Sequence, residues 1–277
     1  MASPHRERPI GVFDSGVGGL TVLHELLVAL PGEDFVYLGD TARFPYGDKT
    51  PEQLRACALE IAEHLLQAGA KLLVVACGSA TAAALPLLRE HLSGSGADVL
   101  GVIAPAAELA RDASASGRIG LLATPATVAS GAFADAIGPD VALTVVPCPD
   151  LAPIIQSGSP FDERVVDTVR RYVAPLRAAQ VDTVILGSTH YPLVAPMLQR
   201  MLGREVTLVS CGAGVARAVE RALAERDLLR DDQAVEGAYR FHCTGDVEAF
   251  RALGTRFLQM PLGDVEHVTL TPLEVAA

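Results

Sequence analysis

The sequence predicts an α/β protein built from two similar doubly wound parallel-sheet domains. Three observations support this prediction: short apolar segments alternate with longer amphipathic ones, the apolar segments are continuous in Val, Ile and Leu, and two motifs recur at nearly one offset. Continuous apolar strands are typical of a parallel sheet covered by helices on both faces. The chain has 277 residues, which is room for about two domains of roughly 150 residues each.

Eight short apolar segments are the predicted strands, and they fall into two groups of four. They are residues 10–13, 35–38, 72–76 and 99–103, followed by 119–123, 142–146, 184–186 and 206–209. Amphipathic patterns between them predict helices, the clearest over residues 20–30, 51–68 and 162–179. This alternation of strands and helices indicates repeated βαβ units.

The second group of strands echoes the first. IGVFDS at residues 10–15 resembles IGLLAT at 119–124, an offset of 109 residues, and VVACGS at 74–79 resembles ILGSTH at 185–190, an offset of 111. Such an echo predicts two domains related by pseudo-symmetry, with the active site in the cleft between them. The predicted domains are residues 1–103 together with 207–277, and residues 104–206.

Composition and charge exclude several classes of protein. The net charge of −11 argues against direct contact with nucleic acid. The longest uncharged stretch has 17 residues, shorter than the roughly 20 apolar residues of a membrane-spanning helix. The chain starts without an apolar signal segment, and its five cysteines are scattered without a CxxC pair. We therefore expect a cytoplasmic protein without disulfide bonds or a metal site.

Candidate site residues stand at the carboxyl ends of predicted strands, where parallel sheets bind their ligands. Asp14 and Ser15 open a glycine-rich turn that lacks the Walker and GxGxxG patterns. Its amide groups and Ser15 would hold a carboxylate at the helix N-terminus. Asp14 would meet an ammonium group or polarise a neighbouring acid. An ordinary tight turn before a helix explains the glycines equally well.

Two further strand ends carry candidate chemistry. Cys77 precedes a predicted helix, whose N-terminus would lower the pKa of the thiol, although a buried inert cysteine is the alternative. In the echoing turn, Ser188 and His190 lack the GxSxG context of a serine hydrolase, and His190 would bind a carboxylate or tune the pKa of a base.

Tyr46 and Gly47 are predicted to form a loop over the cleft, or a simple Pro/Gly turn. The other four cysteines are interpreted as packing residues.

Four motifs together resemble one family. GVFDSGVGGLTV at 11–22, YLGDTARFPYG at 37–47, the strand into Cys77, and LGSTHYPL at 186–193 are similar to bacterial glutamate racemases of the cofactor-independent Asp/Glu racemase superfamily. The resemblance extends from Ile10 to beyond Asp246. It implies interconversion of L- and D-glutamate for peptidoglycan, with no cofactor and no metal, by two opposed cysteines acting as acid and base, in a protein that is commonly a homodimer.

The resemblance also implies roles for individual residues. Cys77 would be one acid/base, Ser188 would stand at the position of the other, and Asp14 and His190 would support the two sides. The substrate site would be lined by Asp14, Ser15, Tyr46, Gly47, Gly78, Ser79, Thr189 and His190.

Three positions depart from the family pattern. Ser188 replaces the second cysteine, Gly78 replaces an asparagine that contacts the substrate amino group, and Gln156 aligns with a glutamate of many members. Because a hydroxyl is a far weaker acid than a thiol, we expect severely impaired racemisation. The alternatives are one-cysteine chemistry, decarboxylase-like or half-racemase, on another small acid, and a non-catalytic member that binds a dicarboxylate or a protein.

Overall fold

Ten strands form two separate parallel sheets in the computed structural model, which describes residues 5–157, 162–232 and 234–273. The six-stranded sheet has the order β10-β9-β2-β1-β3-β4, and the four-stranded sheet has the order β6-β5-β7-β8. Every neighbouring pair in both sheets is parallel. We call the six-stranded sheet with its helices the first half and the four-stranded sheet with its helices the second half.

The strand bounds are as follows. The first sheet contains β1 (Ile10–Asp14), β2 (Phe35–Gly39), β3 (Leu72–Val75), β4 (Asp98–Gly101), β9 (Tyr239–Cys243) and β10 (Val265–His267). The second contains β5 (Arg118–Ala123), β6 (Ala142–Pro147), β7 (Thr183–Leu186) and β8 (Thr207–Ser210).

Eleven α-helices are present in the described parts of the chain. They are α1 (Leu20–Ala29), α2 (Pro51–Gln67), α3 (Gly78–His91), α4 (Ile103–Ala113), α5 (Pro125–Ala129), α6 (Ala132–Ile137), α7 (Leu151–Ser157), α8 (Glu163–Ala178), α9 (Ala195–Leu202), α10 (Cys211–Glu225) and α11 (Val247–Leu258). Short 3-10 helices cover Thr41–Arg43 and Tyr191–Val194.

Helices on both faces bury the first sheet, which explains its continuous apolar strands. In β1, Val12 belongs to the core that contains α1, whereas Phe13 belongs to the core that contains α2 and α3. Val74 and Val75 of β3 divide between the same two cores. Since successive side chains of a strand point to opposite faces, both faces require apolar residues, and no polar alternation is left in the sequence.

Side chains that cap helices fix where two of the elements around the site begin. Thr50 and Gln53 form a capping box at the start of α2, where Pro51 is the first helical residue. Cys77 caps α3, because its Sγ lies 3.5 Å from the amide nitrogen of Ala80. The helix therefore begins one residue after the candidate catalytic thiol.

The strand predictions and the observed sheets differ in one assignment and two omissions. All eight predicted strands are present, but β8 pairs with β7 in the second sheet. Residues 207–210 therefore lie in the second half rather than in the first, where the sequence prediction put them. The sequence prediction also missed β9 and β10. The outermost residues of the predicted first domain, 1–4 and 274–277, lie outside the described residues.

The chain crosses between the halves twice. It leaves the first sheet after β4 through α4 and returns from β8 through α10. These two helices pack against each other, and α10 also packs against α1. The halves therefore share a helical contact but no β-strand.

Candidate active site

One cavity lies between the two halves, beyond the carboxyl ends of β1, β3 and β7. All ten site residues predicted from the sequence line this cavity, which we call the cleft: Asp14, Ser15, Tyr46, Gly47, Cys77, Gly78, Ser79, Ser188, Thr189 and His190. The first seven belong to the first half and the last three to the second. The structure thus brings the echoing strand ends together at a single site.

Asp14 ends β1 and is fully buried at the floor of the cleft. Its Oδ2 accepts a hydrogen bond from the Gly16 amide at 3.1 Å, and its Oδ1 accepts one from Thr189 Oγ1 at 3.4 Å. Burial raises the pKa of the carboxyl, while its backbone hydrogen bonds and the Thr189 bond act in the opposite direction. Asp14 therefore links the first half to the turn that carries Ser188.

Cys77 is only 5% exposed, and this burial decides its ionisation. Burial, together with the nearby carboxylate of Asp14, raises the pKa of the thiol to about 12. Hydrogen bonds from Ala80 and Ser15 lower it, but they are outweighed. The expectation that the helix N-terminus lowers this pKa below its ordinary value is therefore wrong. Burial destabilises the thiolate more than the helix N-terminus stabilises it.

The turns that carry Gly78 and Ser188 touch at the level of the backbone. A Cβ atom at Gly78 would lie 2.9 Å from the carbonyl oxygen of Gly187, closer than real Cβ atoms approach. Ser188 follows Gly187 directly and is 8% exposed, and its Oγ lies 3.5 Å from the amide nitrogen of His190. The absence of a side chain at position 78 is therefore what lets the two walls come this close.

The imidazole ring of His190 is neutral and donates a hydrogen bond through Nε2. Its Nε2 lies 2.9 Å from Oε1 of Gln156 in α7, and an amide oxygen can only accept, so Nε2 carries the proton. Burial lowers the pKa of the imidazole to about 4. The ring centroid lies 5.6 Å from that of Phe44 and 5.2 Å from that of Phe257. A glutamine at position 156 supplies no negative charge to stabilise an imidazolium.

Hydroxyl groups from both halves meet on one wall of the cleft, and sequence reasoning missed two of them. Ser79 Oγ lies 2.9 Å from Thr124 Oγ1 and 3.3 Å from Thr127 Oγ1, and the two threonine oxygens are 3.0 Å apart. Three hydroxyls in contact offer donors to a carboxylate. The signal was present: in the internal echo, Thr124 stands where Ser15 stands in the first half.

Three further observations concern metal ligands, cysteines and membrane-spanning helices. No group of three or more His, Cys, Asp or Glu side chains within the described ranges could hold a metal ion. All five cysteines are buried and free. Among the helices that the structure describes, none is both long and apolar enough to cross a bilayer.

The fold and the cleft fit one class of enzyme. Residues 12–219 match the family described as Asp/Glu/Hydantoin racemase, and the chain belongs to this family. Its class is therefore that of the amino-acid racemases. A glutamate racemase from Mycobacterium tuberculosis is 44% identical over 262 residues, which cover 94% of this chain and 96% of the relative.

Solved structures agree with this assignment. A glutamate racemase isoform from Bacillus anthracis superposes with a TM-score of 0.91 at 35% identity, over 96% of this chain and 99% of that one. A glutamate racemase from Francisella tularensis, solved in complex with D-glutamate, superposes with a TM-score of 0.87 at 31% identity, over 95% and 98% of the two chains. The fold predicted from the sequence is confirmed.

Proposed function

We propose that this chain is a glutamate racemase in which one thiol works opposite a hydroxyl, so that racemisation is slow. The observation that carries the proposal is the cleft itself, where Cys77 and Ser188 follow equivalent strands of two similar halves. The relatives support glutamate as the substrate, and one of them holds D-glutamate. The product D-glutamate would enter peptidoglycan, as the family resemblance implies.

Proton transfer then proceeds between two faces of the substrate. Cys77, a neutral thiol in the buried cleft, loses its proton to solvent as the substrate ammonium group binds beside it. The resulting thiolate removes the α-proton, the C–H electron pair moves into the α-carboxylate, and the proton forms the S–H bond. Ser188 Oγ–H donates a proton to the opposite face of the α-carbon and must then regain one from water. In the reverse direction Ser188 must act as the base, which an un-ionised hydroxyl does poorly. Exchange of the α-proton without inversion is therefore much faster for the enantiomer whose α-proton faces Cys77, while racemisation is slow in both directions.

Polar groups around the cleft stabilise the charge that develops on the substrate. Ser15 and the hydroxyl groups of Ser79 and Thr124 line the cleft, where a carboxylate would gain negative charge. Asp14 is placed to attract the substrate ammonium group and to hold Thr189. His190 lies on the opposite side as a neutral imidazole, whose Nε2–H donates to Gln156. Tyr46 and Gly47 complete the wall of the substrate site.

The test is exchange of the α-proton in heavy water, followed by NMR on D- and L-glutamate separately, with circular dichroism in parallel. Wild-type protein should exchange one enantiomer much faster than the other. The S188C variant should accelerate racemisation of both by about 10²–10⁴-fold, the usual contribution of a positioned acid or base. The C77S variant should abolish exchange.

The matched control is S95C, which adds a thiol on an exposed turn outside the cleft and should leave the rates unchanged. Wild-type racemisation within tenfold of S188C would contradict impairment. Decarboxylation of a substrate from a malonate panel would favour the one-cysteine alternative. Calorimetric binding of glutamate without any exchange would favour a non-catalytic binding protein.

We also propose that the protein is a cytoplasmic homodimer. The resemblance to glutamate racemases supports the dimer, and five free thiols suit a reducing compartment. Light scattering should give the mass of two 29.0 kDa chains. A mass of one chain at micromolar concentration would contradict the dimer. No nucleic acid or membrane is required as a partner.

A further inference from the structure

A buried aspartate outside the cleft connects β1 with the segments that follow β2 and β9 in the first half. Asp40 follows β2 and is fully buried. Its Oδ2 accepts hydrogen bonds from Arg43 Nε at 2.6 Å and from the hydroxyl of Tyr46, and its Oδ1 accepts one from Thr244 Oγ1 at 2.7 Å. The Asp40 amide also donates to the carbonyl oxygen of Asp14 at 3.0 Å. The carboxylate is therefore fixed beside the cleft floor without lining it.

The segment that Asp40 holds forms one side of the cleft. We call residues 44–48 the mouth loop, and every residue of this loop lines the cleft. At its tip the carbonyl oxygen of Gly47 accepts a hydrogen bond from the amide of Ala126, in the second half, at 3.1 Å. Near its base the ring of Phe44 packs on His190. The loop is thus anchored in the first half and meets the second half across the cleft.

We propose that Asp40 is a positioning residue, whose carboxylate keeps the mouth loop closed over the cleft by binding the hydroxyl of Tyr46. Arg43 and Thr244 keep that carboxylate in place. The inference deepens the proposed function, since it concerns access to the same substrate site, but it does not depend on which ligand binds there.

Two physical arguments support the assignment. A buried carboxylate is tolerated where charged and polar donors compensate its lost hydration, and Asp40 has three such donors, Arg43, Tyr46 and Thr244. Hydrogen bonds to an ionised group are stronger than those between neutral groups. The bond to Tyr46 therefore contributes more to closure of the loop than the neutral backbone bond at Gly47.

The test measures how fast each cysteine reacts with iodoacetamide at one fixed pH, without glutamate, by mass spectrometry of the separate peptides. Cys77 lines the cleft beneath the mouth loop, whereas Cys148 and Cys211 are buried elsewhere in the fold. In the variants D40N and Y46F, alkylation of Cys77 should rise about tenfold, the usual effect of one hydrogen bond to a charged group. Alkylation of Cys148 and Cys211 should stay within twofold of wild type.

The matched control is D182N. Asp182 also accepts hydrogen bonds at a turn, from Ser114 Oγ at 2.6 Å and the Ser116 amide at 2.7 Å, but it lies in the second half and does not line the cleft. This variant should leave the Cys77 rate unchanged. Y46F removes one oxygen and keeps the ring, so it tests the inference even where D40N fails to fold.

Two outcomes would overturn the inference. A Cys77 rate in Y46F within twofold of wild type would show that the bond to Asp40 does not govern closure. Equal acceleration of all three cysteines would show that the variants loosen the whole fold. Neither outcome concerns racemisation, so failure here is distinguishable from failure of the proposed function, which is measured by proton exchange.

Discussion

Burial sets the protonation of two residues in the cleft, and it keeps both neutral. The pKa of Cys77 is raised to about 12 and that of His190 is lowered to about 4. Desolvation is the largest cause of each shift, and in both cases it disfavours the charged form. The unliganded cleft thus holds a thiol rather than a thiolate at neutral pH. A substrate ammonium group near Cys77 would act in the opposite direction.

The pKa of His190 predicts how stability depends on pH. A histidine has a pKa near 6.5 when unfolded and about 4 here, so the unfolded state binds more protons between these values. The unfolding free energy should therefore fall by about 3 kcal/mol as the pH drops from 6.5 to 4, with no further loss from this group below pH 4. Urea unfolding of wild type and H190Q at several pH values measures this difference.

H190Q lacks the titrating group, so its stability should vary less with pH over that window. Parallel pH profiles for the two proteins would contradict the predicted effect. The comparison uses the slope of unfolding free energy against pH. The stability lost through the substitution itself is the same at every pH and does not change that slope.

The positions of the site residues were easier to predict from the sequence than their pKa values. Cys77 and Ser188 follow apolar segments, and that pattern is enough to place them at strand ends. The pKa of Cys77 could not be predicted, because its burial depends on the second half and on the mouth loop, which are distant in sequence. Asp40 was missed as a candidate for the same reason: its partner Thr244 lies 204 residues away.

The close contact between the start of α3 and the turn after β7 leads to a prediction about Gly78. In the variant G78A the new Cβ must displace the carbonyl of Gly187, since both atoms belong to rigid turns. We expect a loss of about 1–3 kcal/mol, typical of overpacking. The control is G263A, where a Cβ would meet nothing within 4 Å and the change should stay within about 0.5 kcal/mol.

Denaturant unfolding of the two variants measures the comparison. Equal stabilities of G78A and G263A would show that the halves separate readily enough to admit a side chain. A larger loss in G78A would also mean that an asparagine cannot simply be restored at this position while the cleft keeps its present width.

A strand could be recognised from its apolar residues where both of its faces are buried, and less easily where one face is partly exposed. β1 and β3 are continuous in apolar residues because helices cover both faces. β9, with the sequence YRFHC, is partly exposed at its start and carries polar residues, so it escaped notice. The sheet to which β8 belongs was misassigned, although β7 and β8 are consecutive strands joined by α9 and such strands usually lie side by side.

At the scale of the whole molecule, a buried ion pair connects the N-terminal segment and the segment after α10 to the first sheet. Lys71 Nζ lies 2.6 Å from Glu33 Oε2, and it also donates to the carbonyl oxygens of Arg6 at 2.6 Å and Leu228 at 2.9 Å. The side chains of Lys71 and Glu33 are 2% and 0% exposed. This arrangement joins the N-terminal segment, the start of β3 and the region after α10.

The variant K71M should lose about 3–5 kcal/mol of unfolding free energy, because it leaves Glu33 charged and buried without its cation. Urea unfolding measures the loss. R170A is the control: its partner is Asp167, both side chains are mainly exposed, and such pairs contribute about 0–1 kcal/mol. A loss below 1 kcal/mol in K71M would contradict the predicted role of the pair.

The two crossings of the chain, through α4 and α10, have a consequence for how substrate reaches the cleft. Because these helices pack against each other and the sheets share no strand, a rotation of one half against the other would hinge at the helix pair. Such a rotation breaks no hydrogen bond within either sheet. Opening of the cleft would instead break hydrogen bonds between the halves, such as those from Thr189 to Asp14 and from Ala126 to Gly47.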